Sequence, residues 1–329
     1  MRVLLFQTNA EELEYIHRCN GQFGFELTFA DFDFNSAGRE VFYGFDALWI
    51  TTSCKVTEEK IGELKQAGIR FIASRAAGTD HMDSEGMRAA GIRGANVPKY
   101  SPNAIAEHTV CLVLMLLRHM KRELSMIQNF DFTLEGLKGR ELRNMTVGVV
   151  GTGRIGAKTI QALKGFGCRI IAYDLYENEE VKDKVSYTGL QNIFTESDII
   201  ILHCPLTKEN EGLINGETIS LMKDKVLLIN TARGGLMDYE ALLCGLTSGK
   251  IGGAAFDVYD RETPYIRKKA EKDIYPDETL RELLALENVI YTAHMSFYTD
   301  TAIENMILTT FENLKEYEET GHCSNDIYK

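Results

Sequence analysis

The chain reads as an α/β protein built from two doubly wound parallel-sheet domains, the second larger than the first. Three observations predict this. Short apolar runs alternate with segments able to form helices, in two successive blocks. A glycine triplet, "VGVVGTGRIG", joins one such run to a helical segment at the head of the second block. Polar and charged residues then recur at the carboxyl ends of that block's runs, where open parallel sheets bind their ligands.

The first block holds "RVLLF" (2–6), "FELTFA" (25–30), "ALWIT" (47–51), "RFIASR" (70–75) and "RGANV" (93–97), each short, apolar and strand-like. Next comes "YSPNAIAEHTVCLVLMLLRHMKREL". Ser101 suits an N-cap, Pro102 the first helical position, and no glycine or proline interrupts the rest of the segment, so one long buried helix is expected. The second block runs through "MTVGVV" (145–150), "RIIAYD" (169–174), "DIIILHCP" (198–205), "KVLLIN" (225–230), "GGAAFDV" (252–258) and "NVIYTAH" (288–294). The charged stretch "YDRETPYIRKKAEKDIYPDETLREL" reads as a solvated excursion between the last two strands.

Composition narrows the partners. With 329 residues, 44% of them hydrophobic, the chain can bury two ordinary cores. A net charge of -12 offers no basic stripe for nucleic acid or an anionic membrane. The opening "MRVLLFQTNAEELEY" is a short apolar run met at once by acids, a strand entering a loop rather than a secretory signal. The longest apolar run, "VCLVLMLL" at 110–117, is far too short to span a bilayer. Seven cysteines without a CxxC or zinc-site spacing predict reduced thiols in a cytoplasm and no metal; Cys323 lies near the chain end, where exposure is an alternative, but packing or idle surface is the expected role of all seven.

The glycine motif carries the first chemistry. Gly151 permits the tight turn, Gly153 lets the backbone approach a pyrophosphate, and Gly156 lets helix and strand pack closely, while the helix N-terminus offers free N–H groups to the anion. The next strand ends at Asp174, 18 residues after Gly156, where a carboxylate accepts hydrogen bonds from a ribose 2′-hydroxyl and repels a 2′-phosphate. The larger domain is therefore expected to be a Rossmann domain that takes NAD in preference to NADP. Arg233, Asp257 and His294 each fall at or just past the end of a different strand, and Glu262 follows Asp257 closely enough to reach the same crevice. A guanidinium suits an anionic substrate group, and an imidazole suits proton transfer. His203, in "ILHCP", competes with His294 on position alone.

The motifs "SRAAGTDHMD", "NVPKYSPNAIAE", "VGVVGTGRIG", "INTARGGLMD", "AAFDVYDRE" and "TAHMSFYT" occur in one order along nearly the whole chain. In that set the chain resembles the D-isomer-specific 2-hydroxyacid dehydrogenases, and within them the D-lactate and D-2-hydroxyisocaproate dehydrogenase branch. The resemblance implies an NAD-dependent enzyme that reduces a 2-keto acid, lactate-type or larger, to the D-2-hydroxy acid by hydride transfer. Arg233 would clamp the substrate carboxylate, His294 would be the acid/base, and Glu262 would hold and charge the imidazole. Ala77 and Gly78 match a loop whose backbone amides receive the carboxylate, while Tyr100 and Phe297 match substrate-pocket positions. Arg154, Ile155, Asp174, Cys204, Pro205, Asn210, Thr231, Ala232 and Asp257 fall where the family touches NAD, Asp257 beside the nicotinamide. The resemblance also implies a substrate domain of residues 1–100 plus 295–329, an NAD-binding domain of residues 101–294, and a homodimer formed with the help of the long helix. His294 takes precedence over His203 on the family motif. Departures border the substrate: Ala293 stands where the family usually has proline, Met295 and Ser296 replace commoner neighbours, and Lys99 adjoins Tyr100. Two other functions fit the same fold, an NAD-sensing regulatory protein and a formate- or phosphite-type dehydrogenase.

Overall fold

The computed structural model describes residues 1–264, 266 and 277–328. Its chain forms two compact units, Met1–Ser101 with Tyr298–Lys329, and Pro102–Phe297.

In the first unit the chain runs β1 (Arg2–Leu5), α1 (Ala10–Phe23), β2 (Glu26–Phe29), β3 (Ala47–Ile50), α2 (Glu58–Ala67), β4 (Phe71–Ser74), α3 (Ser84–Ala90) and β5 (Arg93–Ala95). The five strands are parallel in the order β2-β1-β3-β4-β5. Every residue of β3 and β4 is buried, which is why "ALWI" and "FIAS" are continuous apolar runs and not alternating ones.

The second unit opens with α4 (Pro102–Leu117) and α5 (Met120–Gln128). It continues through β6 (Thr146–Val150), α6 (Arg154–Lys164), β7 (Arg169–Tyr173), β8 (Ser186–Tyr187), α7 (Leu190–Glu196), β9 (Ile199–Leu202), α8 (Gly216–Leu221), β10 (Val226–Asn230), α9 (Tyr239–Thr247), β11 (Ile251–Phe256), α10 (Glu278–Ala285) and β12 (Val289–Tyr291). Its seven parallel strands lie in the order β12-β11-β10-β9-β6-β7-β8. The order reverses between β6 and β9, which is the switch point of a Rossmann sheet. The last helix, α11 (Asp300–Thr320), belongs to the first unit, where its Phe311 ring meets Trp49 at 5.0 Å and Phe23 at 5.2 Å. Among the described residues no helix is long and apolar enough to cross a membrane.

The structure departs from the sequence-based expectation in three places. The long helix is interrupted at His119, whose φ of 52° is left-handed. Beyond the break, the Lys121 ammonium donates to the carbonyls of Leu284, Leu286 and Val289 at 2.7, 2.7 and 3.0 Å, closing the C-terminal end of α10. The two-residue edge strand β8 is too short to leave a periodic signal. The charged stretch after β11 is not simply solvated: Tyr259 is 2% exposed and its hydroxyl donates to Asp277 at 2.8 Å, and α10 begins within it. Tyr265 and residues 267–276 of that stretch lie outside the described residues. Cys323 is buried, and all seven cysteines are free thiols. The second compact unit runs to Phe297, and the Asp257 carboxylate accepts the N–H groups of Met295 and Ser296 within it.

Candidate active site at the carboxyl edge of the larger sheet

Parallel register places Tyr173, Val150, Leu202, Asn230, Phe256 and Tyr291 in one row across β7, β6, β9, β10, β11 and β12. From that row Asp174, Gly151, His203 and Asp257 are the next residues of their strands, and Arg233 and His294 lie three further on. Side chains remote in sequence thus emerge along one edge because the strands end together.

The turn after β6 is shaped by what it lacks. Gly151 has φ 96°, and a Cβ there would stand 2.6 Å from the backbone of His203 and Cys204. A Cβ on Gly156 would stand 2.0 Å from the Gly151 carbonyl oxygen, so the helix can approach the strand only without one. A Cβ on Gly153, by contrast, meets nothing within 4 Å, and α6 starts there with no side chain from its N-cap bonded to the first turn. Open space in front of a helix N-terminus fits a dinucleotide pyrophosphate. Arg154 and Ile155, in the first turn of α6, are exposed and half-buried. The Asp174 carboxylate accepts from the Thr152 N–H at 2.6 Å, the Thr152 hydroxyl at 3.1 Å and the Tyr176 N–H at 3.2 Å, which fixes it beside the glycine turn. Past β9, the Asn210 amide donates to the Pro205 carbonyl at 2.8 Å and accepts from the Thr207 N–H at 2.7 Å, shaping the loop that carries Cys204 and Pro205. Burial, with Asp174 adding to it, pushes the Cys204 thiol up to about 11, so it is no thiolate near neutrality.

Past β10, the Asn230 side chain ties the loop to itself: its amide donates to the Arg233 carbonyl at 2.8 Å and its oxygen accepts from the Ala232 N–H at 3.0 Å. Thr231 is buried, with its hydroxyl 2.8 Å from that of Thr109. The half-buried Arg233 guanidinium donates to the Ala232 carbonyl at 2.8 Å. A Cβ on the following Gly234 would lie 2.3 Å from the Asp260 N, so only glycine lets this loop pass.

Glu262 meets His294. Its carboxylate lies 2.6 Å from Nδ1, and its other oxygen accepts from the Tyr259 N–H at 3.0 Å, so the carboxylate is itself oriented. Nδ1 being occupied, Nε2 is the ring nitrogen left for a substrate. His294 holds φ 52°, a left-handed conformation uncommon outside glycine, while its N–H donates to the carbonyl of Asp257 at 2.8 Å. The Phe297 ring stands edge-on to the imidazole at 6.5 Å. His203 does not compete: its Nε2 is 2.8 Å from the Thr159 hydroxyl, and burial pushes its imidazole down to about 3. Asp257 is 0% exposed, and its oxygens hold the 292–296 turn, whereas the family motif places it against the cofactor.

Three expected residues lie in the first unit. Ala77 and Gly78 occupy the loop after β4, Ala77 exposed and accepting from the Asn96 amide at 2.7 Å, and the Tyr100 carbonyl accepts from Asn305 at 2.7 Å. Sequence reasoning missed His108, Thr109 and Thr292, which hydrogen-bond around Asp257 and Thr231. The available signal was the pair of polar residues heading the apolar run "VCLVLMLL".

A Rossmann sheet with an open-sided glycine turn, an acid after the second strand and an arginine and a carboxylate-paired histidine on the same edge defines a nicotinamide-dependent oxidoreductase. Residues 110–296 match the model of the D-isomer specific 2-hydroxyacid dehydrogenase NAD-binding domain. The chain is 40% identical over 326 residues to an aromatic 2-oxoacid reductase of Clostridium sporogenes, covering 99% of this chain and 98% of that one. The apo-structure of D-lactate dehydrogenase from Escherichia coli superposes with a TM-score of 0.89 at 35% identity, over 99% of this chain and all of that one. D-Lactate dehydrogenase from Aquifex aeolicus, complexed with NAD and lactic acid, does so with a TM-score of 0.88 at 32% identity, over 99% of each. The chain belongs to the D-isomer-specific 2-hydroxyacid dehydrogenase family and is an NAD-dependent oxidoreductase.

Proposed function

We propose that the protein reduces a 2-oxo acid, with a side chain of pyruvate size or larger, to the D-2-hydroxy acid. The observation that carries the reading is the 2.6 Å His294–Glu262 pair on the sheet edge that also bears Arg233. NAD, held at Gly151, Gly153, Gly156 and Asp174, supplies the hydride chemistry when bound in its reduced form. The chain's own residues do the rest. The Arg233 fork takes the substrate carboxylate and keto oxygen, offsetting charge as the alkoxide forms. His294 gives its Nε2 proton to that oxygen, and Glu262 holds the ring by Nδ1. Oxidation of the hydroxy acid runs the same steps backwards. Ala77, Gly78 and Tyr100 enter the proposal through their places in the family motifs.

The relatives named above act on aromatic 2-oxo acids and on D-lactate, so side-chain size is the quantity to measure. The test is steady-state turnover of pyruvate, 4-methyl-2-oxopentanoate and phenylpyruvate with NADH and with NADPH. Turnover of at least one of the three is expected, with NADH favoured about a hundredfold because a 2′-phosphate beside Asp174 meets a carboxylate, a cost of roughly 2.7 kcal/mol. Tight NADH binding without turnover of any would overturn the reading in favour of a sensor. The same proposal includes a homodimer: Leu124, Ile127, Phe130, Phe132 and Leu134 are 51, 43, 83, 74 and 82% exposed, an apolar face that a second copy would cover. Analytical ultracentrifugation of the native chain and of Phe132→Glu checks it.

A further inference from the structure

Of the polar residues in α4, Asn103 and Glu107 are exposed, whereas His108 is half-buried and Thr109 buried in a helix that packs on the sheet. Each of the latter two touches a different catalytic loop. Asp257, wholly buried, accepts three hydrogen bonds: from the Thr292 hydroxyl at 2.7 Å, the Met295 N–H at 2.9 Å and the Ser296 N–H at 2.9 Å. These donors bracket His294 on both sides, and the Asp257 carbonyl takes the His294 N–H itself at 2.8 Å. The Thr292 hydroxyl has only one proton, and it goes to Asp257. At 3.0 Å from His108 Nε2 that oxygen must therefore accept, so His108 presents Nε2–H. The same proton count applies next door. The Thr109 hydroxyl gives its proton to the Ile105 carbonyl at 2.8 Å, so at 2.8 Å from Thr231 it is the acceptor, and Thr231, two residues before Arg233, is the donor.

We infer that His108 and Thr109 are positioning residues: His108 fixes His294 through Thr292 and Asp257, and Thr109 fixes Arg233 through Thr231. The inference rests on the reading of His294 as acid/base and Arg233 as clamp. Two consecutive residues of one helix thereby set both loops, one donating and the other accepting. Loss of His108 Nε2–H leaves the Thr292 hydroxyl short of a donor and frees it to leave Asp257, which loosens the turn that holds His294 left-handed. Burial lowers the His108 imidazole and the nearby Asp257 carboxylate raises it, with burial the larger effect, so the ring is neutral near pH 7 and its single proton is the one on Nε2.

The test uses the full chain with NADH and the best 2-oxo acid of the panel. His108→Leu removes the donor at similar volume; His108→Gln puts an amide N–H near the same place. The leucine variant is expected to lose about tenfold in kcat, the equivalent of one hydrogen bond of roughly 1.4 kcal/mol, with the NADH Kd unchanged, while glutamine restores most of the loss. Thr109→Val is expected to raise the keto-acid KM about tenfold, the same energy, and Thr109→Ser to leave it near native. Equal losses in leucine and glutamine, native kcat in both, or an NADH Kd that weakens in parallel with kcat would each overturn the inference in favour of packing alone. His294→Asn separates the two readings. Full activity in that variant refutes the acid/base reading itself; lost activity there with native kcat in His108→Leu refutes only the tether.

Discussion

After β6 the chain reverses with side chains left out, Gly151 at φ 96° and Gly156 against its neighbour's carbonyl. After β12, on the same sheet edge, it reverses with side chains in place: His294 itself takes φ 52°, and a buried carboxylate from another strand grips the N–H groups on its far side. The first turn is bonded to β7 and the segment after it, through the Asp174 carboxylate on Thr152, and leaves room for a ligand. The second is held by contacts from β11 and α4 and delivers a side chain. Both turns have partners; the first gains its close approach by omitting side chains, and the second uses its partners to hold one side chain in a single left-handed orientation.

This difference predicts unequal damage. Asp257→Ala should be the most harmful change at the catalytic turn, because it orphans the Thr292 hydroxyl and two backbone N–H groups. Stability is expected to fall by about 3 kcal/mol or more and kcat by at least about a hundredfold, measured by urea unfolding and steady-state kinetics. Native values for both would mean the turn holds itself.

At the glycine turn the effect should be smaller and divisible. Gly156→Ala sets a Cβ 2.0 Å from a backbone oxygen, so both the thermal midpoint and NADH affinity should drop, affinity by about 30-fold or roughly 2 kcal/mol. Gly153→Ala meets no protein atom, so it should weaken NADH binding while leaving the midpoint alone. Calorimetry of both variants with and without NADH tests the division, and a destabilised Gly153→Ala apoprotein would contradict it.

Glu262→Gln preserves the shape at His294 and removes the charge. In the proposed role His294 gives a proton in reduction and takes one in oxidation, so reduction should slow about tenfold near neutrality, roughly 1.4 kcal/mol, and oxidation less. Equal slowing in both directions would argue that Glu262 only orients the ring.

The smallest effect on activity belongs to His203→Gln, expected to stay within about twofold because a ring kept neutral by burial contributes no proton. Its signature is in stability. Burial takes the folded-state value from 6.5 to about 3, so between those limits the unfolded chain binds the proton and the folded one does not. The contribution of His203 is therefore complete above about pH 6.5 and fades as pH falls toward 3, and the variant should unfold in acid at a lower pH than the native chain. An unchanged acid-unfolding midpoint would show that the ring is protonated in the folded state.

By itself the sequence determined the strands, since wholly buried parallel strands require unbroken apolar runs such as "VLLIN" and "DIIIL". It determined the glycine turn after β6 too, because a φ of 96° at Gly151 and a 2.0 Å backbone approach at Gly156 favour glycine. Arg233, Asp257 and His294 could be placed at strand ends from the pattern, but not their partners. That Glu262 meets His294 was legible only through the resemblance to the family, whereas tertiary structure alone decided that the Asp257 oxygens go to the turn around His294, that the long helix breaks at His119 and that α4 contributes His108. Those contacts join residues 32, 38 and 184 positions apart. Local propensity and periodicity act over a helical turn or a strand, and hold no information about which side chain the folded chain will bring opposite another.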